Sequence, residues 1–187
     1  MDISSVKVSP KASKKIIVPK SFYWLGIQRI YDVCLKHGGL NTTRKPSNEE
    51  YKYLSILTEI VNKFFNELVS YSNLPDCEII TNNESPVHGL AHCQEIKGKT
   101  NKKYNLKVVS NIYTIKLKFN LFSNTTFAQA LTTYLHELLH QYGGDASKQF
   151  NKALFFMNSI ILSNLSNFEE YETRWKTITN QQKPIAI

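Results

Sequence analysis

The stretch TFAQALTTYLHELLHQYGGD, residues 126–145, has the pattern of one amphipathic helix with a defined start and stop. Thr126 and Gln129 match the capping box S/T-x-x-E/Q, whose two side chains satisfy free backbone N–H groups at a helix start. Gly143 and Gly144 predict the end, because glycine commonly terminates helices. Apolar residues recur at helical spacing and predict one buried side: Phe127, Leu131, Tyr134, Leu135, Leu138 and Tyr142.

Two histidines lie on the other side of this predicted helix. His136 and His140 are four residues apart and share one face, so both imidazoles can reach a single metal ion. Glu137 lies about 100° round the helix from His136. From there its carboxylate can reach a water molecule beside the ion without binding the ion itself. The spacing therefore predicts a metal-binding pair with an adjacent acid–base group.

The five residues from His136 to His140 form an H-E-x-x-H sequence that resembles the metal helix of the zincin metallopeptidases. The resemblance covers this helix and the turn after it. It implies Zn²⁺ as cofactor, the two histidines as ligands, Glu137 as general base, and hydrolysis of a protein or peptide substrate. It also implies an α+β fold, namely a zincin-like core with N-terminal helices, a small mostly antiparallel sheet, the H-E-x-x-H helix and a C-terminal packing helix.

A catalytic zinc site needs a third protein ligand. In the metzincins the pattern continues H-E-x-x-H-x-x-G-x-x-H; Gly143 matches its glycine, but Ala146 stands at the third-ligand position. Asp145 lies one residue earlier, after a Gly-Gly turn that can bring it back towards the histidines, and it is our predicted third ligand. The alternative is that Asp145 caps a helix beginning near Ala146, a position that favours aspartate.

Other residues compete for the third position. In the gluzincins the third ligand is a glutamate on the helix that follows the metal helix. In this chain, glutamates lie 29 to 32 residues after His140. The residues at that distance are Glu169, Glu170 and Glu172. Their alternative role is a solvated acidic patch. His88 and His92 share one face of a predicted strand and are further candidates, as ligands, as oxyanion-stabilising groups or as ordinary surface histidines.

The rest of the chain predicts one domain with a basic arm. Residues 1–20 contain five lysines and two prolines and predict a flexible N-terminal arm, followed by a single domain over residues 21–180. Helices are predicted over residues 21–37, from a Ser47–Glu50 capping box to about Tyr71, and over residues 146–168. The second helix carries an apolar stripe of Leu54, Leu57, Val61, Phe64, Phe65 and Leu68. The third carries one of Phe150, Leu154, Met157, Ile161, Leu165 and Phe168.

Four strands are predicted between the second helix and the metal helix, over residues 77–80, 87–96, 104–109 and 112–121, with a polar turn at 97–103. The last strand alternates, which predicts one buried face made of Tyr113, Ile115, Leu117, Phe119 and Leu121. Such a half-buried strand is typical of an antiparallel sheet. By the zincin resemblance, residues 112–121 are our candidate for the edge strand that lines the cleft and pairs with substrate.

The charge of the chain leaves a second function open. The formal net charge is +8, and the stretch from Lys97 to Lys118 holds seven lysines and no acidic residue. It predicts either a solubilising hairpin or a nucleic-acid contact with interleaved tyrosines. The competing function is a basic nucleic-acid-binding or protein-interaction module with a structural or vestigial metal site; a scaffold without metal is a third. The order of sheet and metal helix also resembles the SprT-like and ImmA/IrrE-like proteases, which act on DNA-associated proteins or repressors.

Composition bounds the class of protein. Hydrophobic residues make up 42% and aromatic residues 12%, which excludes a disordered chain. No apolar run approaches the roughly 20 residues of a membrane span, and the N-terminus lacks the pattern of a signal peptide. Cys34, Cys77 and Cys93 are odd in number and form no C-x-x-C pair, which predicts reduced thiols and a cytoplasmic location.

Overall fold

The computed structural model describes residues 3–6, 16–19, 42–69, 74–81 and 88–181. Residues 1–40 form one compact unit and residues 41–187 a second. In the first unit, strands β1 (Ile3–Val6) and β2 (Ile16–Pro19) pair antiparallel, and neither was predicted from the sequence. The helix predicted over residues 21–37 lies outside the described residues. The flexible arm and the domain boundary after residue 20 stay predictions.

Helix α1 (Asn48–Ile60) begins at the predicted capping box. The Ser47 hydroxyl accepts the Glu50 backbone N–H, and the Glu50 carboxylate accepts the Ser47 N–H. The helix continues as a π-helical segment, Val61–Phe65. The predicted apolar stripe is confirmed, since all its members are buried except Phe64, which is half-buried against the core. The helical segment ends at Phe65, and residues 66–69 form a turn and a bend, so the prediction of a helix to about Tyr71 is wrong in extent.

Four strands of the second unit form one sheet in the order β3-β4-β6-β5. Their bounds are β3 Thr43–Arg44, β4 Asp76–Ile80, β5 Gly89–Asn101 and β6 Leu106–Lys118. The pairs β3–β4 and β5–β6 are antiparallel, whereas β4 and β6 run parallel. The sheet is therefore mixed, with two of its three pairs antiparallel.

The prediction that residues 112–121 form the edge strand is wrong. Residues 112–118 belong to β6, together with most of the separate strand predicted over 104–109. Strand β6 lies inside the sheet between β4 and β5, and the two edges are β3 and β5. The prediction fails because β4 pairs in parallel with β6 and so covers its free side. This pairing joins residues far apart in the chain and leaves no local pattern in the sequence. The predicted turn at 97–103 is also wrong in extent, because β5 runs to Asn101 and the chain turns at residues 102–105. Residues 120–123 form a short helix, α2 (Asn120–Ser123).

A β-bulge changes which side chains of β6 are buried. His92 pairs with Thr114 while the next residue, Cys93, pairs with Ile112, so Tyr113 is an extra residue on β6. A single extra residue reverses the alternation of the faces. Ile112 is buried and Tyr113 is 53% exposed. The prediction that Tyr113 shares the buried face of Ile115 and Leu117 is therefore wrong, although those two residues are buried as expected.

Three longer helices complete the described chain: α3 (Phe127–Leu139), α4 (Lys148–Ser163) and α5 (Leu165–Gln181). The prediction of a single helix over residues 146–168 is wrong, because the helix is interrupted at Asn164. The side-chain amide of Asn164 donates to the Ile160 carbonyl at 2.8 Å. The break changes the helical phase. Leu165, expected in the buried stripe, is 57% exposed, while Phe168 is buried.

The helices and the sheet share one core, and the α+β class is confirmed. Helix α3 packs against strands β5 and β6 and against helices α4 and α5, and α5 packs against α1. The buried side of α3 therefore faces the centre of the unit, and its other side borders the edge strand. Among the described helices, none has the length and apolar character needed to cross a membrane.

Candidate metal centre

Helix α3 carries His136, and the 3₁₀ turn that continues it, His140–Tyr142, carries His140, so the two histidines keep the predicted phase. The Thr126 hydroxyl accepts the Gln129 N–H, and the Gln129 side chain accepts the Thr126 N–H, so the predicted capping box is confirmed. The predicted apolar stripe, from Phe127 to Tyr142, is buried throughout. His136 and His140 are half-buried, because they lie on the opposite flank of the helix at a cleft. Packing of one side therefore fixes the direction in which the other side points.

His136, His140 and Asp145 bring their ligand atoms together. One nitrogen from each histidine and one carboxylate oxygen all lie within 4.8 Å of one another. Asp145 Oδ1 is 3.2 Å from His136 Nε2 and 3.7 Å from His140 Nε2. Two ligands of a tetrahedral zinc ion are separated by about 3.3 Å, given bond lengths near 2.0 Å. The described residues thus place two imidazoles and one carboxylate at distances suited to a single divalent ion.

Neighbouring groups orient His140. Its Nδ1 lies 3.1 Å from the Gly143 carbonyl oxygen, and because a carbonyl only accepts, Nδ1 carries the proton. The lone pair is then on Nε2, the atom that faces Asp145. Such a hydrogen bond from the second ring nitrogen is the usual support of a metal-ligating histidine. The Ser110 hydroxyl also donates to the His140 carbonyl at 2.8 Å and ties this turn to β6.

Phe150 of α4 provides an apolar wall for both histidines. Its ring contacts the His136 ring edge-on at 5.0 Å between centroids and stacks on the His140 ring at 4.9 Å. Burial and the neighbouring His140 lower the pKa of His136, and the carboxylate of Asp145 opposes this effect. A lowered pKa keeps the imidazole neutral near pH 7, which is the form that binds metal.

The turn after α3 directs Asp145 to the histidines. The chain passes through a 3₁₀ turn, His140–Tyr142, and reverses at Gly143, whose φ of 124° and ψ of −176° are accessible almost only to glycine. The alternative role of Asp145 as a helix cap does not hold. The residue capping α4 is Ser147, whose hydroxyl accepts the Phe150 N–H at 3.1 Å. The Asp145 side chain, 74% exposed, is therefore available to the histidines.

We expect Gly143→Ala to weaken metal binding and stability together. A Cβ at this position would lie 2.6 Å from the Ser147 hydroxyl, and the backbone would be strained by about 1–3 kcal/mol. The matched control is Gly144→Ala, where an added Cβ meets nothing within 4 Å. Urea unfolding and zinc titration of both variants measure the effect. Equal behaviour of the two alanine variants would contradict this account of the turn.

Glu137 is the buried acidic group of the cluster. It is 5% exposed, and its Oε2 lies 3.7 Å from His140 Nε2. Burial, and then the negative charge of Asp145, raise the pKa of Glu137 to about 7, while a hydrogen bond from the Ala91 backbone N–H opposes the rise. A carboxyl with a pKa near 7 can both accept and release a proton at neutral pH.

Gly89, at the start of β5, is part of the site and was not predicted. A Cβ on Gly89 would lie 2.7 Å from Glu137 Oε1 and 2.8 Å from its Cγ, closer than real Cβ contacts allow. The edge strand can therefore approach the carboxylate only because this residue has no side chain. A lone glycine at a predicted strand is the only signal in the sequence, and it does not indicate what the strand approaches.

The other predicted ligands lie elsewhere. Glu169 and Glu170 are exposed on α5, and Glu172 pairs with Lys176 at 2.8 Å on the same helix. None of the three belongs to the cluster of His136, His140 and Asp145, hereafter the metal group, or lines the cleft beside that group. His92 contacts Tyr113, with ring centroids 5.9 Å apart. His88 lines the same cleft as the metal group but is not a member of that group.

The metal group opens into a cleft of about 610 Å³ between α3, α4 and the start of β5. Solvent therefore has a route to the two histidines and to Glu137. The arrangement can hold a divalent cation beside a carboxylate that exchanges protons with the cleft. No known family model, curated protein or solved structure matches this chain significantly.

Proposed function

We propose that this protein is a zinc-dependent peptidase of the zincin type, acting in the cytoplasm on a protein or peptide substrate. The observation that carries the proposal is the convergence of His136, His140 and Asp145 beside the buried carboxylate of Glu137 in an open cleft. The free thiols of Cys77 and Cys93 agree with a reducing compartment.

The donor set suits zinc. Two neutral imidazole nitrogens and one carboxylate oxygen are common zinc ligands, and three protein ligands leave a fourth position open for chemistry. The ion would supply Lewis acidity, polarising a substrate carbonyl and lowering the pKa of a nearby water molecule. The proton on His140 Nδ1, held by Gly143, keeps Nε2 ready to bind. Asp145 would offset part of the positive charge.

Glu137 would act as the general base and then the general acid. Its carboxylate would take a proton from the attacking water and later deliver one to the leaving amine. Burial raises the pKa of Glu137 to about 7 in the zinc-free protein. A bound cation would lower this pKa and leave the carboxylate ionised at neutral pH, ready to accept the proton. The Ala91 N–H and the side-chain-free surface of Gly89 would hold the carboxylate in place during both steps.

Strand β5 would position the substrate. It is an edge strand, and its first residues, Gly89 and Leu90, line the cleft of the metal group. An extended peptide can add to such an edge through main-chain hydrogen bonds. The scissile bond would then lie between the edge strand and α3, within reach of Glu137.

We expect Gly89→Ala to lower the rate of hydrolysis about 100-fold, because moving a catalytic group by roughly 1 Å has an effect of this size. The added Cβ would push the Glu137 side chain from its present position. Zinc affinity should stay near the wild-type value, since the three atoms nearest to the new methyl group all belong to Glu137, which is not a predicted ligand. Steady-state kinetics and zinc titration, with Gly144→Ala as control, measure both quantities. Full activity of Gly89→Ala would contradict the proposed position of Glu137.

The competing function is nucleic-acid binding through the lysine-rich stretch 97–118. Two of its lysines are already paired with acidic side chains, Lys103 with Glu67 and Lys116 with Glu78. These pairs reduce the positive charge available to a phosphate backbone. Binding of DNA or RNA that weakens steeply with salt, and that is retained when zinc is removed, would favour this competing function.

The direct test is cleavage of an unfolded protein by the purified full chain. We expect cleavage in the presence of zinc, loss of cleavage on chelation, and recovery when zinc is restored. Zinc content measured by elemental analysis should approach one ion per chain. Cleavage that is indifferent to chelation, or a protein that takes up zinc and cleaves nothing, would contradict the proposal.

A further inference from the structure

The cleft continues beyond the metal group along an apolar surface. Leu90 of β5 and Leu154 and Met157 of α4 line it, together with Thr132 and Thr133 of α3. Leu154 and Met157 lie four and seven residues after Phe150, so all three share one face of α4. Because Phe150 contacts both histidine rings, this apolar face begins at the metal group and leads away from it.

We propose that this surface is a substrate pocket that selects an apolar side chain next to the scissile bond; the inference rests on the proposed peptidase function. Thr132 lies four residues before His136, about 6 Å along the helix axis. One residue of an extended peptide spans about 3.3 Å. The pocket therefore accepts the side chain of a residue within about two positions of the bond that is cleaved.

The chemistry of the lining favours an aliphatic or aromatic side chain. Apart from His136, His140, Asp145, Glu137 and His88, the described residues that line the cleft are uncharged. Leu154 is half-buried and Met157 is buried, so they offer apolar contact. A charged side chain that contacts Leu90, Leu154 and Met157 would have no partner of opposite charge among these residues and would lose hydration. The pocket should thus prefer leucine, methionine or phenylalanine over charged residues.

Helix α4 offers a matched pair of variants. Leu154 lines the pocket, whereas its neighbour Phe155 is 66% exposed and is not among the lining residues. Asn158 also lines the pocket and is exposed, so Asn158→Asp adds a charge with almost no change of shape. This second pocket variant tests the proposal even if Leu154→Asp does not fold.

The first experiment maps the peptide bonds that the wild-type protein cleaves in an unfolded protein mixture with zinc. We expect one position beside the cleaved bond to be enriched in apolar residues, with a preference of roughly 5- to 150-fold over charged ones, the ratio that corresponds to the cost of burying an unpaired polar group. Leu154→Asp and Asn158→Asp should lower that preference and admit lysine and arginine. Phe155→Asp should leave it unchanged.

The second experiment measures binding without catalysis. Two peptides that differ only by leucine or lysine at the selected position are titrated into zinc-free Glu137→Gln protein, with and without Asn158→Asp. We expect tighter binding of the leucine peptide and a smaller difference in the Asn158→Asp protein. Equal binding of the two peptides, or a cleavage map without an apolar position, overturns the pocket. Selective binding without any cleavage by the wild type overturns the peptidase function instead.

Discussion

Replacing Glu137 with glutamine is expected to reduce peptide hydrolysis about 10²- to 10⁴-fold, the usual contribution of a general acid–base group. Glutamine has nearly the same shape and can still accept the Ala91 N–H, but it cannot take a proton from water. Zinc content should stay at the wild-type level, because the ligand atoms belong to other residues. Hydrolysis at the wild-type rate by Glu137→Gln would remove the basis of the proposed mechanism.

The pH dependence of the free energy of unfolding shows whether the Glu137→Gln variant is folded. The carboxyl of Glu137 ionises near pH 4.5 in the unfolded chain but near pH 7 in the folded, zinc-free protein. Between these values the folded state retains the proton and the unfolded state has lost it, so wild-type stability falls as the pH rises. Glutamine lacks this ionisation. Zinc-free Glu137→Gln should therefore be more stable than wild type by about 3 kcal/mol above pH 7, and equally stable below pH 4.

Removing any one of the three predicted ligands is expected to lower zinc affinity by more than about 100-fold, since changes to groups that merely support a ligand already cost about 10- to 100-fold. The variants are His136→Ala, His140→Ala and Asp145→Ala. Competition with a chromogenic chelator measures each affinity. The Asp145 variant is the most informative, because its carboxylate lies 3.2 Å from His136 Nε2 yet belongs to no regular element.

Glu169→Ala is the control for this series. Glu169 is exposed on α5 and is not a member of the described metal group, so its removal should leave zinc affinity unchanged. The opposite result, loss of zinc in Glu169→Ala and retention in Asp145→Ala, would assign the third ligand to α5. It would also require a rearrangement of α5 relative to α3.

Local patterns were sufficient for the helices that carry the core. The two capping boxes, at Ser47 and Thr126, start helices where they were predicted, because a cap satisfies backbone groups within one turn. The stripe from Phe127 to Tyr142 is buried for the same local reason, since helical spacing puts these residues on one side. The break at Asn164 was not predicted, because apolar spacing continues across it in the sequence.

The sequence by itself determined that His136 and His140 share a helical face and that Glu137 lies between them, because these positions depend only on the period of a helix. Only the tertiary structure decided that β5 rather than residues 112–121 lies at an edge of the sheet, that Gly89 lies against Glu137, and that Asp145 approaches the two histidines instead of capping α4. These features depend on a parallel crossover, on a close approach of strand to helix, and on one backbone conformation at a glycine. Each of these three features brings together residues through the folding of the chain, so the periodicity of the sequence does not predict it.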